Sequence, residues 1–195
     1  AAAQRHAQEF GLLEHVRTAL AREVDLKELY RTTVQAIADT FGYALVSLYL
    51  LEGDRLVLQN QVGYSKTIPE IPLNKGVLGR VVRTGKPVLL PDVRKDKEFL
   101  GVIENITSEV AVPFFVQGEV AGALNVESIR GVYLDETDLR LVTALSEHIG
   151  IAIRRARLYT RLRESETAYR NLASNLPGIV FRLHLNDETH MEFFN

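Results

Sequence analysis

The chain has 195 residues, 46% hydrophobic and 25% charged, enough apolar material to bury a real core. A formal net charge of -2 argues against nucleic acid as a partner, because phosphate binding needs a concentrated basic surface. The absence of cysteine removes disulfides, thiolate catalysis, Cys-ligated zinc and a thioether-linked chromophore. No apolar run is long enough to span a bilayer and no signal-peptide pattern is present. The expectation is a cytoplasmic location with no membrane contact from this segment.

Taken in order, residues 1–22 lack helix breakers except Gly11, and Phe10, Leu13, Leu20 and Val24 recur at roughly heptad spacing. This predicts a helix burying one stripe. Asp25 followed three residues later by Glu28 resembles a capping box and opens a second helix, with Leu26, Leu29, Val34, Ile37 and Phe41 on one face. Gly42 closes it. The period then changes to two. In "YALVSLYLL", Ala44, Val46, Leu48 and Leu50 form an apolar face, with Tyr43, Ser47 and Tyr49 opposite. A turn at Glu52-Gly53-Asp54 returns the chain as a strand from Arg55 to Val62.

The stretch "LNKGVLGRVVRTGKPVLLPDV" holds three glycines and a Gly85-Lys86 pair, which suggests a phosphate loop. A P-loop needs a glycine five positions before Gly85 and a hydroxyl after Lys86; Arg80 and Pro87 stand there instead. The stretch reads as a short amphipathic helix. Asn74 is the expected cap, Val77, Leu78, Val81 and Val82 share a face, Gly85 sits past the end, and a strand follows at Val88 to Leu90. Gly76 and Gly79 leave two readings open: close packing on the sheet, or backbone N–H groups bared to an anion.

A polar loop follows, then "SEVAVPFFVQGEVAGALNVES", a hairpin turning at Gln117-Gly118. Val110, Val112, Phe114 and Val116 are expected on one face, matched by Val120, Leu124 and Val126. Pro113 predicts a bulge or an edge, since it donates no ladder hydrogen bond. Leu134, Asp135, Asp138 and Leu139 supply a cap, an acidic first turn and a staple for a last long helix. Its early stripe is Val142, Leu145, Ile149, Ala152, Ala156 and Tyr159. A second stripe follows at Ile151, Leu158, Leu162, Tyr169 and Leu172, interrupted by Arg155 and Ser165. The arginine run from Arg154 to Arg163 reads as a solvated coiled-coil face, with Glu164 and Glu166 next to it. His148 reads as a partly exposed structural histidine rather than a haem ligand.

This order of elements, with "LNKGVLGRVVRTGKPVLLPDV", "SEVAVPFFVQGEVAGALNVES" and "YLDETDLRLVTALSEHIGIAI", resembles a GAF domain over residues 25–158. The resemblance implies an α+β fold: an antiparallel sheet of about five or six strands, helices on both sides, and long terminal signalling helices. Residues 1–24 are then a dimerisation helix and 159–174 a linker helix. Residues 175–195, "NLPGIVFRLHLNDETHMEFFN", resemble the start of a truncated PAS domain.

The same resemblance implies a small-molecule-sensing module of a multidomain signalling protein of the two-component type, such as a histidine kinase or a diguanylate cyclase. The output domain would lie downstream in the same chain. It places a ligand between one sheet face and the loop from Val93 to Ile106. The expected contacts are Gln59, Gly76, Leu78, Phe99, Ile103, Ser108, Val110, Asn125 and Glu127. Its ligand is unknown, and no covalent chromophore is expected. One alternative is a ligand-free spacer with its pocket plugged by Phe99, Phe114 and Phe115. Another is cyclic-nucleotide binding, echoed in part by Asn125, Tyr133, Asp135 and Glu136, although Val126 replaces the family's lysine. GAF relatives that reduce methionine sulfoxide use cysteine, so the segment is expected not to be an enzyme. A parallel homodimer is expected through Leu13, Leu20, Ile151, Leu158 and Leu162.

Overall fold

The computed structural model describes residues 2–175, 180–185 and 189–194, with side chains described from residue 10 to residue 172. It comprises two compact units, Ala1–Ala156 and Arg157–Asn195. The first opens with α1 (Ala2–Arg22) and α2 (Leu26–Phe41). Asp25 caps α2 by accepting from the Glu28 amide at 3.0 Å. Glu28 does not complete the box, because its carboxylate takes Arg31 at 2.7 Å instead. Strands β1 (Leu45–Glu52), β2 (Arg55–Val62) and β3 (Glu70–Pro72) follow, then α3 (Gly76–Thr84) and β4 (Val88–Leu90). The chain continues through a 3-10 turn at Val93–Lys95 into β5 (Ile106–Val116), β6 (Glu119–Ile129) and α4 (Glu136–Asn175).

Six strands form one antiparallel sheet in the order β3-β2-β1-β6-β5-β4. Both faces are buried. On one, Val46, Leu48 and Leu50 of β1 join Val110, Val112 and Phe114 of β5 and Leu124 and Val126 of β6. This face packs against Val16 and Leu20 of α1, Leu29, Val34 and Ile37 of α2, and Val142, Leu145 and Ile149 of α4. Each such side chain contributes about 1.5–3 kcal/mol on burial. The other face carries Tyr49, Ala111 and Ala123, covered by Val77, Leu78, Val81 and Val82 of α3.

Pro113 is accommodated because β4 stops short of it. Val88, the first residue of β4, pairs with Ala111, so one side of β5 has no ladder partner at Pro113. A bulge follows at once, between Phe114 and Phe115. Because Phe114 pairs with Gly122 and Phe115 with Val120, Ala121 is the extra residue. The bulge reverses parity, which corrects the expected face of Val120: it turns to the α3 side, and Ala121 packs against the helical core.

The start of α3 is also corrected. Lys75, not Asn74, stands at the cap and makes no side-chain capping bond. At its far end Gly85 adopts φ 63° and donates to Val81 O at 2.9 Å, as its position predicts. Asp135 and Asp138 cap α4 reciprocally. Asp135 accepts from the Thr137 amide at 2.6 Å, and its own amide donates to Asp138 at 2.8 Å. Leu134 and Leu139 staple this end onto the core.

Two expectations for the dimer stripe change here. Leu20 is 1% exposed within its own chain and is a core residue, while Leu13 packs half-buried against the same core. Arg155, expected to interrupt an intermolecular seam, instead donates to Leu20 O at 2.7 Å and Glu23 O at 2.9 Å. Its guanidinium reinforces the C-terminal end of α1, where Leu20 O otherwise accepts from the Glu23 amide at 3.3 Å.

In the second unit, β7 (Val180–Leu185) and β8 (Thr189–Phe194) pair antiparallel. The expected PAS start falls here, and residues 176–179, 186–188 and 195, with every side chain from 173 onward, lie outside the described residues. No described helix is long and apolar enough to cross a membrane.

The Arg155 clamp yields a direct test. Arg155→Met keeps the apolar stem and removes both hydrogen bonds, and should lower unfolding free energy by about 2–3 kcal/mol in urea titrations. Arg155→Lys should recover only part of this, since an ammonium lacks the guanidinium's fork.

Candidate ligand pocket

On the sheet face turned toward α3 lies a cavity of about 40 Å³, room for a small head group or a few waters. Its floor is polar. Ser47 and Tyr49 come from β1, Glu109 from β5, and Asn125 and Glu127 from β6. Tyr64, Thr67 and Ile68 of the β2–β3 connection form one wall, and Ile71, Gly76, Val77 and Leu78 another. Phe99, Leu100 and Val102 close it from the loop that precedes β5.

The register explains the floor. Glu109 and Glu127 are direct partners across the β5–β6 ladder, and Ser47 faces Asn125 across β1–β6. Such partners hold their Cβ atoms about 4.5–5.5 Å apart. Glu109, Glu127 and Asn125 are only 3%, 4% and 5% exposed. Among the described residues, Oε2 of each glutamate and Oδ1 of Asn125 are buried without a hydrogen-bond partner.

Two carboxyls in this setting resist ionisation. Burial, then the charge of Glu127, pushes Glu109 well above the usual carboxylate range. Burial raises Glu127 to about 7, against an opposing pull from the Tyr64 hydroxyl and the Asn125 amide. Arg80 of α3 eases the charge on Glu109, but its guanidinium already binds Asp96 at 2.7 Å, with Glu98 at 3.7 Å. Burial also raises the Tyr49 hydroxyl, which donates to Ile68 O at 2.9 Å.

Of the residues expected to contact a ligand, Gly76, Leu78, Phe99, Asn125 and Glu127 line the cavity. Four do not. Gln59 is the extra residue of a β1–β2 bulge, between the pairs Leu48–Asn60 and Tyr49–Leu58, and its amide turns back to Val57 O. Ile103 packs under the loop with Leu45, Val93 and Ile106. Ser108 and Val110 point to the helical face, where the Ser108 hydroxyl lies 2.6 Å from that of Ser128 and accepts from the Leu134 amide. Glu109, the residue between them, is the one turned to the cavity. A charge inside the apolar run "SEVAVPFF" was its signal in the sequence.

Close packing explains the glycines. A Cβ on Gly76 would meet Leu100 at 2.7 Å, and one on Gly79 would meet Leu73 O at 2.5 Å. The expected plug is also absent from two positions: Phe114 lies in the helical core and Phe115 is largely exposed. From the partial cyclic-nucleotide pattern only Asn125 reaches the cavity, because Asp135 caps α4 and Tyr133 is exposed.

Comparison with known proteins places this geometry. The Nif-specific regulatory protein of Azospirillum lipoferum is 27% identical over 171 residues, 78% of this chain. Its counterpart in Azospirillum brasilense is 27% identical over 157 residues, 71% of this chain. The chain spans only 27% and 24% of those two proteins. Among solved structures, free methionine-R-sulfoxide reductase from Neisseria meningitidis superposes with a TM-score of 0.73 at 25% identity, covering 77% of this chain and 91% of that one. The GAF domain of a phosphoenolpyruvate-protein phosphotransferase from Coxiella burnetii gives 0.71 at 17% identity, covering 80% and 98%.

The reductases overturn one expectation. They are enzymes built on this fold, so the expectation that the segment is not an enzyme is withdrawn. The model of the GAF domain matches residues 23–154, more than half of the sequence, and the chain belongs to the GAF domain family.

Proposed function

We propose that the first unit is the small-molecule-sensing GAF module of a multidomain signalling protein. Its ligand enters between the β1–β6–β5 face and the loop carrying Phe99 and Leu100. The observation that carries this reading is the cavity floor, where three buried oxygens have no partner among the described residues. A spacer would be expected to fill such a space with hydrocarbon, because an unpartnered buried acceptor costs about 1–3 kcal/mol. The Nif-specific regulators support a regulatory role, with a histidine kinase or diguanylate cyclase as the candidate output. The hairpin β7–β8 is read as the opening of a PAS module.

The test is a thermal-shift screen of the whole chain against small metabolites, since a ligand of the native state raises its stability. A binder should shift the wild type and lose its effect in Leu78→Trp, which fills the cavity. Hits that act equally on both proteins would sink the reading.

The carboxyl pair predicts an unusual stability profile. Glu127 is raised from 4.5 to about 7, so the native state holds more protons than the unfolded chain between these values. Stability should therefore fall as pH rises through that window, by on the order of 3 kcal/mol. The acids held below their ordinary range, Glu14, Asp92, Asp96 and Asp135, titrate beneath it. Denaturation midpoints measured from about pH 5 to 8 should decline in the wild type, decline less in Glu127→Gln, and flatten when Glu109→Gln is added, because burial also raises Glu109.

The module pairs with a second copy through α4. Ile151, Leu158 and Leu162 are 66%, 51% and 68% exposed, an apolar strip that soluble monomers tend to avoid. A parallel two-fold pairing removes it from water. Leu158→Glu with Leu162→Glu should give monomers in sedimentation with sheet spectra unchanged, and a monomeric wild type at high concentration would refute the pairing.

A further inference from the structure

We infer that the ligand of this cavity carries an organic ammonium group, bound between Glu109 and Glu127. The inference rests on the sensing role just proposed and narrows it to one chemical class. Glu109 Oε2, Glu127 Oε2 and Asn125 Oδ1 line one cavity, and each is buried without a donor. Native proteins leave few buried polar atoms unpaired, and three in one place mark a missing partner.

The missing partner is a donor with positive charge. With the carboxyls ionised, all three orphans are acceptors only, and two carry negative charge. The donors that line the cavity are already engaged, and Arg80 Nε, buried without a hydrogen-bond partner, lies outside the lining and 3.7 Å from Glu98. The Tyr49 hydroxyl is held by Ile68 O, the Asn125 amide nitrogen reaches the Tyr64 hydroxyl at 3.5 Å, and Arg80 is bound to Asp96. A primary ammonium offers three N–H donors and one unit of charge.

Other ligands fit less well. A hard metal ion takes six or more oxygens. Here the remaining walls include Ile71, Val77, Leu78 and Leu100, which cannot complete such a shell but suit an alkyl tail. An anion at the start of α3 would sit in the field of both glutamates, and Gly76 is already covered by Leu100. In the unliganded chain the pair retains protons near neutrality, so an arriving ammonium displaces them into solvent.

The probes are n-butylamine, 1-butanol and butyrate, which share one tail and differ in head-group charge. Calorimetry on the 195-residue chain at about pH 8 should show that only the amine binds, with proton release detectable as a buffer-dependent heat. Glu109→Gln and Glu127→Gln should each weaken the amine at least about ten-fold while keeping the wild-type circular dichroism. Intermolecular NOEs from the amine to Leu78 and Val77 methyls locate it without any variant. Equal or better binding of butanol or butyrate overturns the ammonium class and leaves the sensing role standing. Binding of magnesium or calcium in place of the amine overturns it in favour of a metal. Amine binding that survives both Gln variants overturns the site. Failure of all three probes also overturns the class, and the metabolite screen then decides the sensing role independently.

Discussion

Glu109 and Glu127 face each other across the β5–β6 ladder, both almost wholly out of water. Two carboxylates in that arrangement repel each other and have lost their hydration, so both hold their protons to higher pH than an exposed carboxyl does. The conflict is sustained from behind. The opposite sheet face is continuous apolar core, from Val110 and Val112 to Leu124 and Val126, against three helices. The sheet thus has one face optimised for packing and one that carries a local electrostatic penalty. Such departures from consistent design concentrate where a protein does its work.

The parity of the strands decides which side chain lies on which face, and this is where sequence reading reaches its limit. Local signals were legible. Asp25 and Gly42 bound α2, Gly85 ends α3, Gln117 and Gly118 turn the hairpin, and Asp135 starts α4. Each is decided by a few neighbouring residues. The cavity was only half legible. When both faces of a strand are buried, apolar alternation no longer says which one is occupied by helices, and a one-residue slip moves every side chain across. Ser108 and Val110 were therefore expected in the cavity where Glu109 stands. The bulges that strand Gln59 and Ala121 compound this, because an inserted residue reverses parity without any sequence mark. Arg155 shows the other kind of limit. Its acceptors lie 135 and 132 residues away, and no periodicity in α4 could name them.

The pleat that hides the carboxylates also ties their neighbours to α4. Ser108 and Ser128 directly adjoin Glu109 and Glu127 and project to the opposite face, where their hydroxyls meet at 2.6 Å. Ser108 accepts from the Leu134 amide at 2.8 Å, and Ser128 donates to Val132 O at 2.7 Å. These two bonds, with that from Thr107 to Val132 O, fix the segment that leads into the capped start of α4. A change in strand spacing on the cavity side is therefore applied through the backbone to the bonds that position this helix. Two turns beyond Ile149, Arg155 holds α4 to the end of α1. Beyond its apolar packing on the sheet, the helix is thus held by polar bonds at two points, its start to the sheet and its middle to α1. A displacement at the first cannot be absorbed by α4 alone; it must stretch the Arg155 bonds or carry α1 with it.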